Sequence, residues 1–163
     1  MTALNGTEAF YLSATQLIDL YKSKKLSPVE VANDVLTRIT AVNDAVNAFV
    51  SIDGEMALVK ARESEARWMA GTPLGLVDGV PTTIKDLLLT KGSRTGRGSK
   101  ATVNAGLETE DAPSVQNLRN NGAVFIGRTT TPEFGWKGIT DSPSTGITRN
   151  PWNTNKTPGG SSG

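Results

Sequence analysis

Apolar positions in the first third of the chain recur at helical spacing. Ser27-Pro28-Val29-Glu30 precedes them and supplies a serine cap, a proline at the first helical position and a glutamate that completes a capping box. This pattern predicts a helix that begins at Pro28, buries one face and ends near Asn43. The apolar residues that follow at about one helical turn are Val31, Val35, Ile39 and Val42.

Two more helices are predicted on either side of this one. A capping box that begins at Ser13 starts a short helix from about Ala14 to Lys24. The segment Glu55 to Met69 forms the other helix. Within it Glu63 and Arg67 have the spacing of an i,i+4 ion pair, which is typical of a solvated face.

The second half of the chain has the pattern strand, helix, strand. Gly79 to Asp86, read as GVPTTIKD, is rich in β-forming residues, and Ala123 to Gly127 is a fully apolar strand. Between them Asp111 caps a helix that stops before Gly122. A parallel βαβ unit with a right-handed connection follows, so the fold class is α/β. The short apolar run Asn47 to Ile52 is either a strand or a packed connector.

Composition narrows the classes of function. The 163 residues suffice for one domain, and the formal net charge of +1 gives no reason to expect nucleic acid or a membrane surface as partner. No apolar run approaches the roughly 20 residues of a membrane span, and the first residues lack a secretory signal, so we expect a cytoplasmic protein. The chain has no cysteine and no histidine, which excludes disulfides and a Ser-His-Asp site and disfavours zinc. Acid–base chemistry would fall to a lysine or a carboxylate.

Lys85 is the first candidate for such chemistry. It follows Ile84 at the end of the predicted strand and precedes Leu87, Leu88 and Leu89. Apolar surroundings lower the pKa of a lysine, and a lysine with a lowered pKa can act as a base. The alternative is a lysine that ends an edge strand and extends its amine to water.

Two loops could contribute to a site. After the second strand, Phe134 and Trp136 flank a glycine and could line an apolar pocket, although Trp136 could equally pack within the loop. Thr157 to Gly163 is a Gly/Ser loop in which adjacent serines could offer a hydroxyl, and it lacks the lysine of a phosphate-binding loop. Gly96 to Ala101 matches a dinucleotide fingerprint in letters only, because no strand directly precedes it.

Taken together, three segments resemble the amidase signature family: GVPTTIKD, GRTTTPEFGWKG (127–138) and TRNPWNTNKTPGGSSG (148–163). Members are hydrolases or amidotransferases that act on carboxylic amides through a serine nucleophile, a second serine on a cis peptide and a lysine. The resemblance implies that Lys85 is the base and Ser161 the bridging serine, with Ser162 and Gly160 as supporting neighbours. The residues Phe134 and Trp136 themselves indicate an apolar pocket for a small amide, which favours a stand-alone amidase, and we expect no metal or cofactor.

The resemblance places the nucleophile in a second Gly/Ser-rich stretch beyond Gly163. Residues 1–163 are therefore expected to be the N-terminal part of a single amidase signature domain, with an incomplete sheet and no activity alone. We expect a small-molecule amide as partner, no nucleic acid and no membrane, and we allow for a homodimer. The alternatives are an amidotransferase A-type subunit that acts on misacylated transfer RNA with partner subunits, and a non-catalytic α/β binding module.

Overall fold

A computed structural model describes residues 8–102 and 104–162. The described helices are α1 Ala14–Lys22, α2 Pro28–Val46, α3 Gly54–Ala70 and α4 Pro113–Asn120. The strands are β1 Phe49–Ile52, β2 Pro81–Lys85, β3 Val124–Thr129, β4 Asp141–Ser142 and β5 Gly146–Ile147. Single 3₁₀ turns occupy Ala9–Tyr11, Lys100–Thr102 and Glu133–Gly135. None of the helices in the described ranges combines the length and the apolar character that a membrane span requires.

The predicted starts of α1 and α2 are confirmed. Ser13 accepts a hydrogen bond from the backbone of Gln16, whose side chain accepts one from the Ser13 backbone. Ser27 and Glu30 exchange hydrogen bonds in the same way, at 2.9 and 3.1 Å. Both boxes satisfy backbone N–H groups that a helix start leaves without partners.

Helix α2 ends at Val46, three residues later than the sequence predicts. Asn43 lies inside its last turn, where its carbonyl accepts a hydrogen bond from Asn47 N at 2.6 Å. The Asn43 side-chain oxygen then accepts from Ala48 N and Phe49 N, at 2.9 and 3.1 Å. The asparagine therefore connects the helix to the chain that follows it and does not terminate the helix.

The charged residues of α3 have partners that local spacing does not predict. Glu63 pairs with Lys60 at 2.9 Å on the exposed face. Arg67 pairs with Asp78, whose side chain is fully buried. The predicted ion pair between Glu63 and Arg67 on a solvated face is therefore wrong. The buried carboxylate of Asp78 binds the guanidinium more strongly than the exposed Glu63 does.

The described chain divides into two compact units. The first contains residues 8–40, 53–82 and 117–126, and the second contains residues 41–52, 83–102, 104–116 and 127–162. In the first unit Leu17, Tyr21 and Val31 form a buried cluster. The hydroxyl of Tyr21 donates to Gly79 O at 3.2 Å, and burial raises the pKa of this tyrosine above its ordinary value.

The main sheet has three strands in the order β1-β3-β2. Val124 N donates to Val80 O near the start of β2 and β3, and Asp86 N donates to Thr129 O near their ends. These two strands are therefore parallel, and α4 lies between them in the chain, which confirms the α/β class and the predicted βαβ unit. The run Asn47 to Ile52 contains strand β1, which pairs with β3 in the antiparallel direction and makes the sheet mixed.

Candidate active site

The amine of Lys85 lies within hydrogen-bond distance of the hydroxyl of Ser161. Lys85 is the last residue of β2, and its Nζ donates to Ser161 Oγ at 2.8 Å. The lysine is half-buried, and desolvation lowers the pKa of its amine below the ordinary value. Strand β2 is an edge of the described sheet, as the alternative interpretation held, but the amine has a side-chain partner there.

The Gly/Ser loop holds Ser161 through the backbone of its neighbours. The Gly160–Ser161 peptide bond is cis. Gly159 O accepts a hydrogen bond from Thr140 Oγ1 at 2.8 Å. A Cβ added to Gly160 would lie 2.6 Å from Ile139 N, so the loop approaches the 138–139 backbone too closely for any side chain at position 160. Ser162 is adjacent and exposed.

Asp86 and Arg128 form a buried ion pair next to Lys85, which sequence reasoning missed. Arg128 Nε donates to Asp86 Oδ1 at 2.9 Å, and the two side chains are 7% exposed for the arginine and 2% for the aspartate. The guanidinium also donates to Thr90 Oγ1 at 2.6 Å. A signal was present, because Arg128 directly follows the apolar run of β3 and a buried arginine requires a carboxylate partner.

The segment of Phe134 and Trp136, which follows β3, comes close to Ser161 with its backbone at Gly135. Phe134 has a φ of 50°, and its N–H donates to Arg97 O at 2.8 Å. A Cβ added to Gly135 would lie 3.8 Å from Ser161 Oγ. The side chain of Phe134 is half-exposed and that of Trp136 is 90% exposed. The interpretation that Trp136 packs within the loop is therefore wrong, as far as the described residues show. The apolar pocket at Phe134 and Trp136 remains a prediction.

Comparison with known proteins identifies the family. Residues 30–163 match the family model described as Amidase. The chain belongs to the amidase family. The match includes both partners of the Lys85–Ser161 hydrogen bond and the whole sheet.

The relatives of this chain include an amidotransferase subunit and an acylamidase. The chain is 42% identical over 158 residues to the A-type subunit of glutamyl-tRNA(Gln) amidotransferase from Salinispora arenicola, covering 96% of this chain and 32% of the relative. It is 41% identical over 152 residues to an acylamidase of Rhodococcus erythropolis, covering 93% of this chain and 32% of the relative. The chain thus spans about a third of the length of these relatives.

A solved amidase structure has the same fold over the matched part. The crystal structure of a bacterial aryl acylamidase of the amidase signature family superposes with a TM-score of 0.87 at 34% sequence identity. The superposition covers 93% of this chain and 32% of that protein. The fold described above is therefore the fold of one part of an amidase signature enzyme.

Proposed function

We propose that the protein containing this chain hydrolyses a carboxylic amide, with Lys85 as general base and Ser161 as the bridging serine. The observation that carries the proposal is the 2.8 Å hydrogen bond between Lys85 Nζ and Ser161 Oγ. A nucleophilic serine completes the triad, and by resemblance to the family it comes from a further Gly/Ser-rich segment after Gly163.

In the proposed mechanism a proton moves from the nucleophile to Ser161, and Ser161 passes its own proton to Lys85. A serine hydroxyl is a weak nucleophile until a base accepts its proton. Ser161 accepts that proton from the nucleophile and donates its own toward Lys85, since a hydroxyl carries one donor and two acceptor lone pairs. Lys85 accepts it only in the neutral form, which desolvation of its amine favours. The lowered pKa of Lys85 thus supports a catalytic role over a non-catalytic binding module.

The test uses the protein encoded by the complete reading frame that contains this sequence. With an aryl or alkyl amide as substrate, Lys85→Ala is expected to lower kcat by about 10²–10⁴. Lys85→Arg is expected to restore nothing, because arginine stays protonated. Near-normal kcat in Lys85→Arg would exclude Lys85 as the base.

Ser161→Ala tests the second role. The expected loss in kcat is comparable to that of Lys85→Ala, and the double variant should lose little more, because groups that act as a unit are not additive. The matched control is Ser162→Ala, which changes the exposed neighbour of Ser161. A larger effect at Ser162 than at Ser161 would mean that the bridging role belongs to Ser162.

Residues 1–163 alone are expected to show no amide hydrolysis, because they carry two of the three proposed triad members. Turnover by this purified chain would contradict the assignment, provided that a full-length variant without the nucleophile shows no turnover. Phe134 and Trp136 are proposed to contact the amide substrate. Their replacement by alanine should raise KM more than it lowers kcat.

A second candidate function is that of an amidotransferase A-type subunit that acts on misacylated transfer RNA. The chain is 42% identical to the amidotransferase protein of Salinispora arenicola and 41% identical to the acylamidase, so these relatives support both candidates alike. An amidotransferase subunit requires partner subunits and an ammonia donor. Release of ammonia from plain amides by the protein alone supports the stand-alone amidase, whereas activity that depends on added partner subunits and misacylated transfer RNA supports the alternative.

A further inference from the structure

The ion pair next to Lys85 has no part in the proton transfers proposed above. Asp86 follows the lysine directly, at the first position after β2 ends. Lys85 reaches Ser161, whereas Asp86 pairs with Arg128. Whole-residue exposure is 2% for Asp86 and 6% for Arg128, so the pair is shielded from water.

One guanidinium holds three points of the segment that follows Lys85. Arg128 donates to the carboxylate of Asp86 at 2.9 Å, to the carbonyl of Leu88 at 3.0 Å and to the hydroxyl of Thr90 at 2.6 Å. A planar guanidinium with five donors can bind several acceptors in one fixed geometry, which an ammonium group cannot. The chain from 86 to 90 is therefore fixed to strand β3.

Asp86 is also held through its backbone. Its N–H donates to Thr129 O and its carbonyl accepts from Arg97 N, both at 2.9 Å. Its carboxylate accepts a further hydrogen bond from Gly96 N at 3.1 Å. Because Arg97 O in turn accepts from Phe134 N at 2.8 Å, hydrogen bonds continue from the ion pair to the loop of Gly135, where an added Cβ would lie 3.8 Å from Ser161 Oγ.

We propose that Asp86 and Arg128 are positioning residues that hold the Lys85 amine against Ser161. The proposal rests on the proposed amidase function. Lysine has a flexible four-carbon side chain, so the reach of its amine depends on where the backbone of residues 85–86 is held. Proton transfer requires hydrogen-bond distance, and a displacement of about 1 Å can cost on the order of 10²-fold in rate.

The test replaces the guanidinium and keeps its charge. Arg128→Lys is expected to lower kcat for amide hydrolysis at least about tenfold while KM stays within about twofold, because the defect lies in the alignment of the base. The matched control is Arg67→Lys, the same substitution in another arginine that pairs with a buried aspartate. It should leave kcat unchanged when both variants are assayed well below their melting temperatures.

The proposal would be overturned if Arg128→Lys and Arg67→Lys lost the same thermal stability and also lost kcat to the same extent. A crystal structure of Arg128→Lys gives a readout that does not depend on turnover. The expected result is a Lys85 Nζ to Ser161 Oγ separation beyond hydrogen-bond reach. Retention of the wild-type separation together with normal kcat would overturn the proposal as well.

If Arg128→Lys does not fold, Thr90→Val removes one hydroxyl partner of the guanidinium and leaves the ion pair intact. It should lower kcat by a smaller factor with KM unchanged, and an unaltered kcat would count against the proposal. Lys85→Ala separates the two hypotheses. Full activity of Lys85→Ala overturns the amidase mechanism itself, whereas an inactive Lys85→Ala with a fully active Arg128→Lys overturns only the positioning role.

Discussion

Both carboxylate oxygens of Asp78 accept hydrogen bonds from the guanidinium of Arg67, at 2.8 and 2.7 Å. The amide of Leu74 donates to the same carboxylate at 2.8 Å. The Asp78 side chain is fully buried and that of Arg67 is 24% exposed. This bidentate pair joins the last turns of α3 to the segment that leads into β2.

Removal of the guanidinium should destabilise the protein strongly. Arg67→Met leaves a buried carboxylate without its counter-charge, and we expect a loss of about 3 kcal/mol in the free energy of unfolding. This value lies at the lower end for a buried pair because Arg67 keeps some contact with water. Urea denaturation of the variant and the wild type measures it.

Lys60→Met is the matched control on the same helix. It removes the pair with Glu63, whose two side chains are about half exposed, and should change the free energy of unfolding by less than about 0.5 kcal/mol. Equal effects of the two substitutions would mean that the Asp78 carboxylate finds another partner or water.

The ion pair between Arg67 and Asp78 should make the free energy of unfolding depend on pH. Burial raises the pKa of Asp78, but hydrogen bonds from Arg67 and Leu74 outweigh it, and the pKa lies below the ordinary value. A group with a lowered folded-state pKa stabilises the protein fully above its unfolded pKa, about 3.9 for aspartate, and loses this contribution as pH falls through the folded value.

Asp78→Asn is therefore expected to reduce the dependence of unfolding free energy on pH below about 4. Urea denaturation at a series of pH values from neutral down through that range measures the dependence in both proteins. Parallel curves for wild type and Asp78→Asn would show that Asp78 titrates alike in the folded and unfolded states.

The sequence predicted the regular elements well because they depend on local signals. The capping boxes at Ser13 and Ser27 are formed by residues three positions apart, and spacing alone reveals them. Strands β2 and β3 were predicted from β-forming and apolar runs. Strand β1 remained ambiguous because four residues carry little periodicity and its antiparallel partner lies far away along the chain.

The candidate site could be predicted only by resemblance. Local sequence favours an edge-strand lysine at position 85 over a base, since the partner Ser161 is 76 positions away. The Asp86–Arg128 pair escaped prediction for the same reason, because its members are 42 positions apart. Long-range pairs are set by strand order, which local periodicity does not encode.

Amide hydrolysis should rise with pH as Lys85 loses its proton. A general base acts in its neutral form, so kcat/KM increases through the pKa of the base. Desolvation lowers that pKa in Lys85, which moves the rise below the value of about 10.4 that a free lysine would give. A pH–rate profile of the complete protein measures it. A rise centred at or above the free-lysine value would contradict the desolvated base.

A methyl group at position 135 should affect activity as well as stability. Gly135 has a φ of +71°, and its added Cβ would lie 3.0 Å from Leu87 Cδ2 and 3.8 Å from Ser161 Oγ. Gly135→Ala is expected to cost about 1–2 kcal/mol through the left-handed backbone and to lower kcat through the contact with the site. Thermal denaturation and amide turnover measure the two effects.

Gly71→Ala is the control for backbone strain alone. Gly71 ends α3 with a φ of +74°, and an added Cβ would meet no atom within 4 Å. Its stability loss should not exceed that of Gly135→Ala, which also meets Leu87 Cδ2, and its kcat should be unchanged. If both variants lose activity in proportion to stability, the proximity of Gly135 to Ser161 has no functional effect.

The long separation between Lys85 and Ser161 has a consequence during protein synthesis. At about 5–20 residues per second, roughly 4–15 s pass between addition of the lysine and addition of the serine. Closing so long a loop also costs entropy that grows with the logarithm of its length. Throughout that interval the Lys85 amine lacks the Ser161 hydroxyl to which it donates in the folded chain. The amine can act as the proposed base only after Ser161 has left the ribosome and the loop that carries it has docked.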